Sequence, residues 1–459
     1  MFTTVLAFLL TLGVLIVVHE YGHYKVARLC GVKVLRFSIG FGRVIWRRQP
    51  RLDGTEFTIS ALPLGGYVRM LDSREMPVAP DEVGEAFDRK PLLQRTAIVA
   101  AGPLANLALA VLLYAAAHWI GIDEPKAVLA APPPTSLAAQ AGLRAGDWLQ
   151  AAAGPDGEWE DLLSLSDARW RITQAALRGE PLQLQVSDAA GAHRRNVTLA
   201  LDQLGSTEID AETFRRVGIG APYSEPVLGE VQIAGPAAKA GLQKGDRVLA
   251  IGGEAVVDAQ SLRERIRGSV DAASATMLWT VERAGQRLEI EVTPRRVADG
   301  NPESGKSIGR IDAFVGAPPE IVTVRLGPWD GLATGVRRTW EMASLSVKML
   351  GRMLIGEASL RNLSGPLTIA DYAGQSVQQG LSYYLGFLAL VSVSLGVLNL
   401  LPLPMLDGGH LMYYLFEGVT GRPVSDLWLK WLQRGGALVL LLLMSISLSN
   451  DVARLLGLQ

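Results

Sequence analysis

The chain has 459 residues, 49% hydrophobic and 19% charged, with a formal net charge of −1. Near-neutral charge removes the electrostatic basis for nucleic-acid binding, and a mean hydropathy of +0.23 is apolar for a soluble protein. The single cysteine, Cys30, excludes an internal disulfide and reads as a small residue at a helix end.

Residues Phe2 to Val18 carry no charge. Continued through His19, this stretch reaches the roughly 20 residues that a bilayer-spanning helix needs. A cleaved signal peptide is the competing reading. It is opposed by the missing basic start, by the missing small-residue cleavage site and by the His-Glu pair where cleavage would fall. Residues 1–30 are therefore expected to form the first membrane helix.

That helix ends in His19-Glu20-Tyr21-Gly22-His23. On an α-helix, four residues advance about 6 Å and slightly more than one turn, so both imidazoles project from one face. They can hold one Zn²⁺ at about 2.0–2.1 Å each, with Glu20 beside them to take a proton from metal-bound water. Ionisable groups at bilayer depth are costly and usually functional.

Residues 31–94 follow as a polar region with a hairpin pattern: apolar and β-branched runs at Val34–Trp46 and Phe57–Leu64 flank a polar turn at Gln49–Gly54. Thr96 to Ile122 is again free of charge, and residues 95–122 are expected to span. The basic residues Lys25, Arg28, Lys33, Arg36, Arg89, Lys90 and Arg95 lie between the two charge-free stretches. They place that segment in the cytoplasm and residues 124–370 outside. His118 reads as an interfacial residue at the outer end of the second span, and Asn106 serves equally well as a helix-packing amide.

The outer region contains a repeat. Ala138-Ala139-Gln140-Ala141-Gly142-Leu143-Arg144-Ala145-Gly146-Asp147 recurs 99 residues later as Ala237-Ala238-Lys239-Ala240-Gly241-Leu242-Gln243-Lys244-Gly245-Asp246, identical at seven of ten positions. A period of that length fits two globular domains, not a solenoid. Alternating runs such as Leu182–Val186 and Leu288–Val292 read as half-buried strands. The pattern Ala-Gly-Leu-x-x-Gly-Asp resembles PDZ domains attached to bacterial proteases, over residues 124–222 and 223–315. Such domains add an extended peptide or chain end to a sheet edge. His193, within the first, reads as a surface residue.

In residues 326–371 an apolar stripe at Leu332, Val336, Trp340, Ala343, Val347, Leu350 and Leu354 predicts an amphipathic helix with its connector. The helix is expected to lie on the membrane surface, or to pack on the repeat pair. A third span over 381–410 meets Pro402, Pro404, Asp407, Gly408 and Gly409. The prolines break the helix and free backbone carbonyls, which membranes tolerate where the backbone is buried in protein or lines a wet cavity. A carboxylate there calls for a cation, so Asp407 is the candidate third metal ligand; a helix cap is its other reading. His410 is either a supporting group or interfacial. Residues 428–450 supply a fourth span.

Paired H-E-x-x-H and N-x-x-P-x-P-x-L-D-G motifs resemble the site-2 protease family of intramembrane metalloproteases, and the two PDZ-like repeats narrow the likeness to its Gram-negative members. The resemblance spans the chain and includes Phe37-Ser38-Ile39-Gly40-Phe41-Gly42, Pro63-Leu64-Gly65-Gly66-Tyr67, Ala101-Gly102-Pro103-Leu104-Ala105-Asn106 and Leu363-Ser364-Gly365-Pro366-Leu367. It implies a multi-pass α-helical protein of the bacterial inner membrane, with about four transmembrane helices, a membrane-associated β-hairpin and two inserted periplasmic PDZ domains. It implies zinc, an active site within the membrane toward the cytoplasm, and cleavage of single-span membrane proteins, among them a pre-trimmed anti-sigma factor and leftover signal peptides. Asn399 would bond substrate backbone. The hairpin of residues 34–68, with Gly40, Phe41 and Gly42, would pair with unwound substrate. A membrane-anchored PDZ adaptor without catalysis is the alternative, which loss of Glu20 or a histidine would have favoured.

Overall fold

A computed structural model describes residues 2–50, 54–154, 156–204, 216–269, 276–298, 307–355 and 365–455. The chain divides into two compact units, Met1–Ile122 with Arg325–Gln459, and Asp123–Val324. Leu363, Ser364 and the hairpin-turn residues 51–53 lie outside the described residues.

The first unit is mainly helical. Helix α1 (Phe2–Leu29) leads into a hairpin of β1 (Val34–Arg48) and β2 (Glu56–Met70), and α2 (Leu92–Ile120) follows. After the insertion come α3 (Pro328–Leu354), α4 (Pro366–Gln379), α5 (Leu381–Leu400), α6 (Asp407–Thr420) and α7 (Asp426–Leu455). Among the described residues, four stretches are long and apolar enough to cross a membrane: Thr3–Leu29, Leu92–Ile120, Leu381–Leu400 and Leu427–Ala453. The fourth extends beyond the 428–450 read from sequence.

Small residues set the helix contacts, as expected where lipid tails leave packing to do the work. Gly22 of α1 sits against the Ala101 carbonyl and Ala105 of α2. Gly396 of α5 lies on Pro103 and Leu107, and Ser392 of α5 donates to the Asn106 carbonyl at 2.7 Å. Gly331 and Gly335 of α3 lie on Trp119 and on the Val111 carbonyl of α2. This differs from a helix resting on the membrane surface: two glycines one turn apart remove the side chains that would hold α3 away from α2. Helix α4 is capped from α7, where the Asp451 carboxylate accepts from the N–H groups of Gly365 and Leu367, both at 2.9 Å.

The third span is shorter than 381–410. Helix α5 stops at Leu400, a turn runs through Pro402 and Pro404, and α6 starts afresh at Asp407. The turn folds tightly back onto the start of α6. A side chain at Gly408 would collide with the Leu401 carbonyl, and one at Gly409 with that of Leu403. The glycine pair after Asp407 is thus a packing requirement of the helix break.

The second unit holds two similar four-stranded antiparallel sheets. In the first, the strands run in the order Trp159–Asp161, Trp148–Ala153, Leu182–Ser187, Arg195–Leu199. In the second, Glu254–Ala255, Arg247–Ile251, Met277–Arg283 and Gln286–Val292 repeat that order. Each repeated decapeptide folds in the same way. Gly142, Gly146, Gly241 and Gly245 all have positive φ, where glycine carries no steric penalty. Leu143 and Leu242 are buried in the two cores. Asp147 accepts from the Arg144 N–H and pairs with Arg195. Asp246 accepts from the Gln243 N–H and takes a two-pronged bond from Arg283 at 2.7 Å for each prong. The halves also touch: the Ala131 N–H donates to Asp258, whose other oxygen caps the helix Ala259–Gly268.

Candidate metal centre

Helix α1 carries His19 and His23 to one face, as their spacing requires. The turn before α6 brings Asp407 to the same place. Among the described residues, these three form the one group of ligand atoms that could hold a metal. His19 Nε2 and His23 Nε2 are 3.2 Å apart, and Asp407 Oδ2 lies 3.2 Å from the first and 3.6 Å from the second. Bonds of about 2.0–2.1 Å in tetrahedral array give ligand-to-ligand edges of about 3.3 Å. The donor set therefore fits a tetrahedral ion with one position left over. The helix-cap reading of Asp407 is not what forms: Leu406 is the capping position of α6 and no side chain caps that helix.

Helix α2 holds the histidines in place. His23 Nδ1–H donates to the Ile98 carbonyl at 2.9 Å, which fixes the tautomer with a lone pair on Nε2. The His23 ring lies flat against Gly102, where any side chain would overlap it. His19 Nδ1 is 3.2 Å from the amide nitrogen of Asn106. The carboxyl-terminal end of α6 is clamped to the same helix: Arg95 bonds both carboxylate oxygens of Glu417, at 2.6 and 3.3 Å, and stacks on the Tyr414 ring. All three metal-binding candidates are thus referred to one helix.

A cavity of about 790 Å³ surrounds the group, lined by His19, Glu20, His23 and Asp407, by Tyr413 and His410, and by a polar margin including Arg74, Arg95 and Glu417. Glu20 is pressed against β2; a Cβ at Gly66 would lie 2.9 Å from its Cγ. The second glycine of Pro63-Leu64-Gly65-Gly66-Tyr67 is therefore the surface on which Glu20 rests.

The candidates named from sequence divide in two. His19, Glu20, His23 and Asp407 come together. His410 lines the same cavity, with its ring edge-on to Tyr413 at 5.9 Å. Gly40, Phe41 and Gly42 do not line it: Phe41 packs on Gly65 and stacks with Tyr67, which does. Asn399 lies in the last turn of α5, outside the cavity lining. His118, two residues from the end of α2, is buried and bonded to the Tyr114 carbonyl. His193 is exposed, as expected. The residues missed were Ile98, Arg95, Glu417 and Tyr413. Arg95 and Glu417 stand 322 positions apart and carry no local motif.

A hydrolytic donor set with a neighbouring carboxylate, built among helices suited to a bilayer, defines a class, the intramembrane metallopeptidases. Residues 7–443 match Peptidase family M50. A Ralstonia nicotianae protein whose name describes a zinc metalloprotease is 43% identical over 462 residues, covering 98% of each chain. The regulator of sigma-E protease of Salmonella typhimurium is 39% identical over 455 residues, and that of Escherichia coli K12 38% over 461, each again covering 98% of both chains. The chain belongs to peptidase family M50 and is a bacterial inner-membrane protein.

Proposed function

We propose that the protein is a zinc-dependent intramembrane endopeptidase in which His19, His23 and Asp407 hold the zinc and Glu20 is the general base. The observation that carries this is the triangle of donor atoms at tetrahedral-edge spacing, with Glu20 in the same cavity. When bound, the ion supplies Lewis acidity and an acidified water. Glu20 takes the proton of the attacking water and delivers it to the departing amine. Its rest on Gly66 limits where its carboxylate can swing. The Ile98 carbonyl and Gly102 hold the His23 ring in a single orientation, so little reorganisation accompanies the reaction.

The substrates proposed are single-span membrane proteins, including an anti-sigma factor already trimmed outside and remnant signal peptides. Relatives named as regulators of sigma-E protease support this reading. The β1–β2 hairpin, with Gly40, Phe41 and Gly42, pairs with unwound substrate, and Asn399 bonds its backbone. Ile45 and Trp46, exposed toward the hairpin tip, suit contact with lipid. Residues 124–222 and 223–315 are two periplasmic PDZ domains that bind chain ends, supported by the shared strand order and the twice-built Gly-Asp turn. They also act as a size filter against untrimmed substrates.

Two experiments test this reading. Asp407→Ala should lose bound zinc at limiting zinc and abolish cleavage of a single-span reporter, whereas His410→Ala should do less harm; full zinc occupancy in Asp407→Ala removes it from the site. Deleting residues 127–315, at matched expression, should speed cleavage of an untrimmed substrate and leave trimmed-substrate cleavage little changed. A folded deletion that never cuts untrimmed substrate contradicts the filter.

A further inference from the structure

Helix α3 leaves a groove beside the spans that the metal centre does not use. A cavity of about 690 Å³ lies among α2, α3 and α5, walled by Leu107 and Val111, by Val336 and Val347, and by Val397 and Leu400. It shares no lining residue with the cavity around His19, His23 and Asp407. Both α2 and α5 are long and apolar enough to cross a membrane, so the groove lies at bilayer depth. Val336, Trp340 and Val347 form one stripe of α3 along it, each more than half exposed.

One end of the groove differs in charge. Gly331 of α3 sits at Trp119 and Gly335 at Val111, so α3 runs against α2 and carries Lys348 to the end remote from Trp119. Leu400 lies toward that end as well, because α5 also runs against α2: Ser392 meets Asn106 and Gly396 meets Pro103. Lys348 is exposed, lines the groove and forms no ion pair among the described residues. Its neighbours on the helix are matched: Arg337 and Arg338 face Glu341 at 3.8 and 3.7 Å. An unpaired ammonium beside hydrocarbon is costly and calls for an anion.

Size and polarity exclude two occupants. From Val336 to Lys348 the helix rises about 18 Å. Over that length a second helix, about 10 Å wide, fills about 1,400 Å³, twice the volume present. An unwound peptide is narrow enough, but its N–H and C=O groups need partners at bilayer depth. Besides the Trp340 indole, the polar side chains of the lining are Thr339, Ser344 and Lys348, and the Thr339 hydroxyl is buried. An acyl chain is narrow and needs no such partners.

We propose that this groove binds an anionic phospholipid, with an acyl chain between α2, α3 and α5 and the phosphate against Lys348, Ser344 lying one turn away. Basic pockets between membrane helices recognise such headgroups. The lipid covers the exposed stripe of α3 and holds that helix on the spans.

The test is native mass spectrometry of the delipidated full-length protein in detergent, with zinc content recorded as a check on the fold. The probes are phosphatidylglycerol, phosphatidylethanolamine with the same acyl chains, and glycerol 3-phosphate. Wild type should bind phosphatidylglycerol in preference to phosphatidylethanolamine, and glycerol 3-phosphate not at all. Lys348→Gln, at an exposed side chain, should weaken phosphatidylglycerol binding about fivefold, the usual contribution of one basic residue facing an anionic headgroup. Ala108→Phe, which fills the groove from an exposed position on α2, should lose both lipids. Equal binding of the two lipids by wild type, unchanged phosphatidylglycerol binding in Lys348→Gln, or full lipid binding in Ala108→Phe would each overturn the proposal. So would binding of glycerol 3-phosphate without a chain, or a dimer of the protein that excludes the lipid.

Discussion

The two units of the chain build with the same residue types and use them in opposite ways. In the repeated turns of residues 123–324, glycine and aspartate act locally. Gly241 and Gly245 turn the backbone through positive φ, and Asp246 closes the same turn before meeting Arg283 on a strand of the same sheet. In the helical unit, Gly22, Gly66 and Gly102 turn nothing. Each clears space for a different element: the Ala101 carbonyl, Glu20 and the His23 ring. Gly22, Gly66 and Gly102 can each be replaced only by moving another helix, strand or side chain; a turn motif in the inserted unit fails alone.

That contrast can be broken most severely at Gly102. Gly102→Ala would drive a methyl group into a ring already held by Ile98, so the ring must leave its ligand position. Cleavage should fall on the order of 10²-fold, the usual consequence of misplacing a reacting group by about 1 Å. Bound zinc should fall with it in a metal assay. A variant with normal zinc and normal rate would show that the ring is free to shift.

A smaller effect is expected from Asp246→Ala. It removes two charge-assisted bonds from Arg283 and one from a backbone N–H, while Arg283 remains able to reach water. The loss should be roughly 2–3 kcal/mol, read as easier thermal unfolding or proteolysis within residues 223–315, with zinc content unchanged. Loss of zinc in this variant would mean that the two units are not independent.

The same contrast explains what could be read in advance. The inserted unit was legible because its motif occurs twice and closes within ten residues, and the strands at Leu182–Val186 and Leu288–Val292 form within the segments expected. The candidate metal donors were legible because helical periodicity alone aligns His19 with His23, and because a carboxylate beside two prolines in an apolar run is conspicuous. What was hidden depends on contacts between distant segments. Ile98 contributes only a carbonyl, which leaves no trace in residue type. Arg95 and Glu417 look like ordinary interfacial charges until α6 folds onto α2. Helix α3 shows an amphipathic stripe, yet Gly331 and Gly335 decide where it packs. The strings Ala101-Gly102-Pro103 and Leu64-Gly65-Gly66 were visible as motifs, but their reason, the His23 ring and the Glu20 side-chain stem lying on bare backbone, exists only in the fold.

The proposed division of labour between holding the metal and moving the proton is tested most directly with Glu20→Gln. The purified variant and wild type are compared for zinc stoichiometry and for cleavage of a trimmed single-span reporter. Glu20→Gln should keep full zinc, because Glu20 is not among the three donors, and should lose about 10²–10⁴-fold in rate, the usual contribution of a general base. Cleavage near the wild-type rate, or loss of the zinc along with the activity, would contradict the role assigned to Glu20.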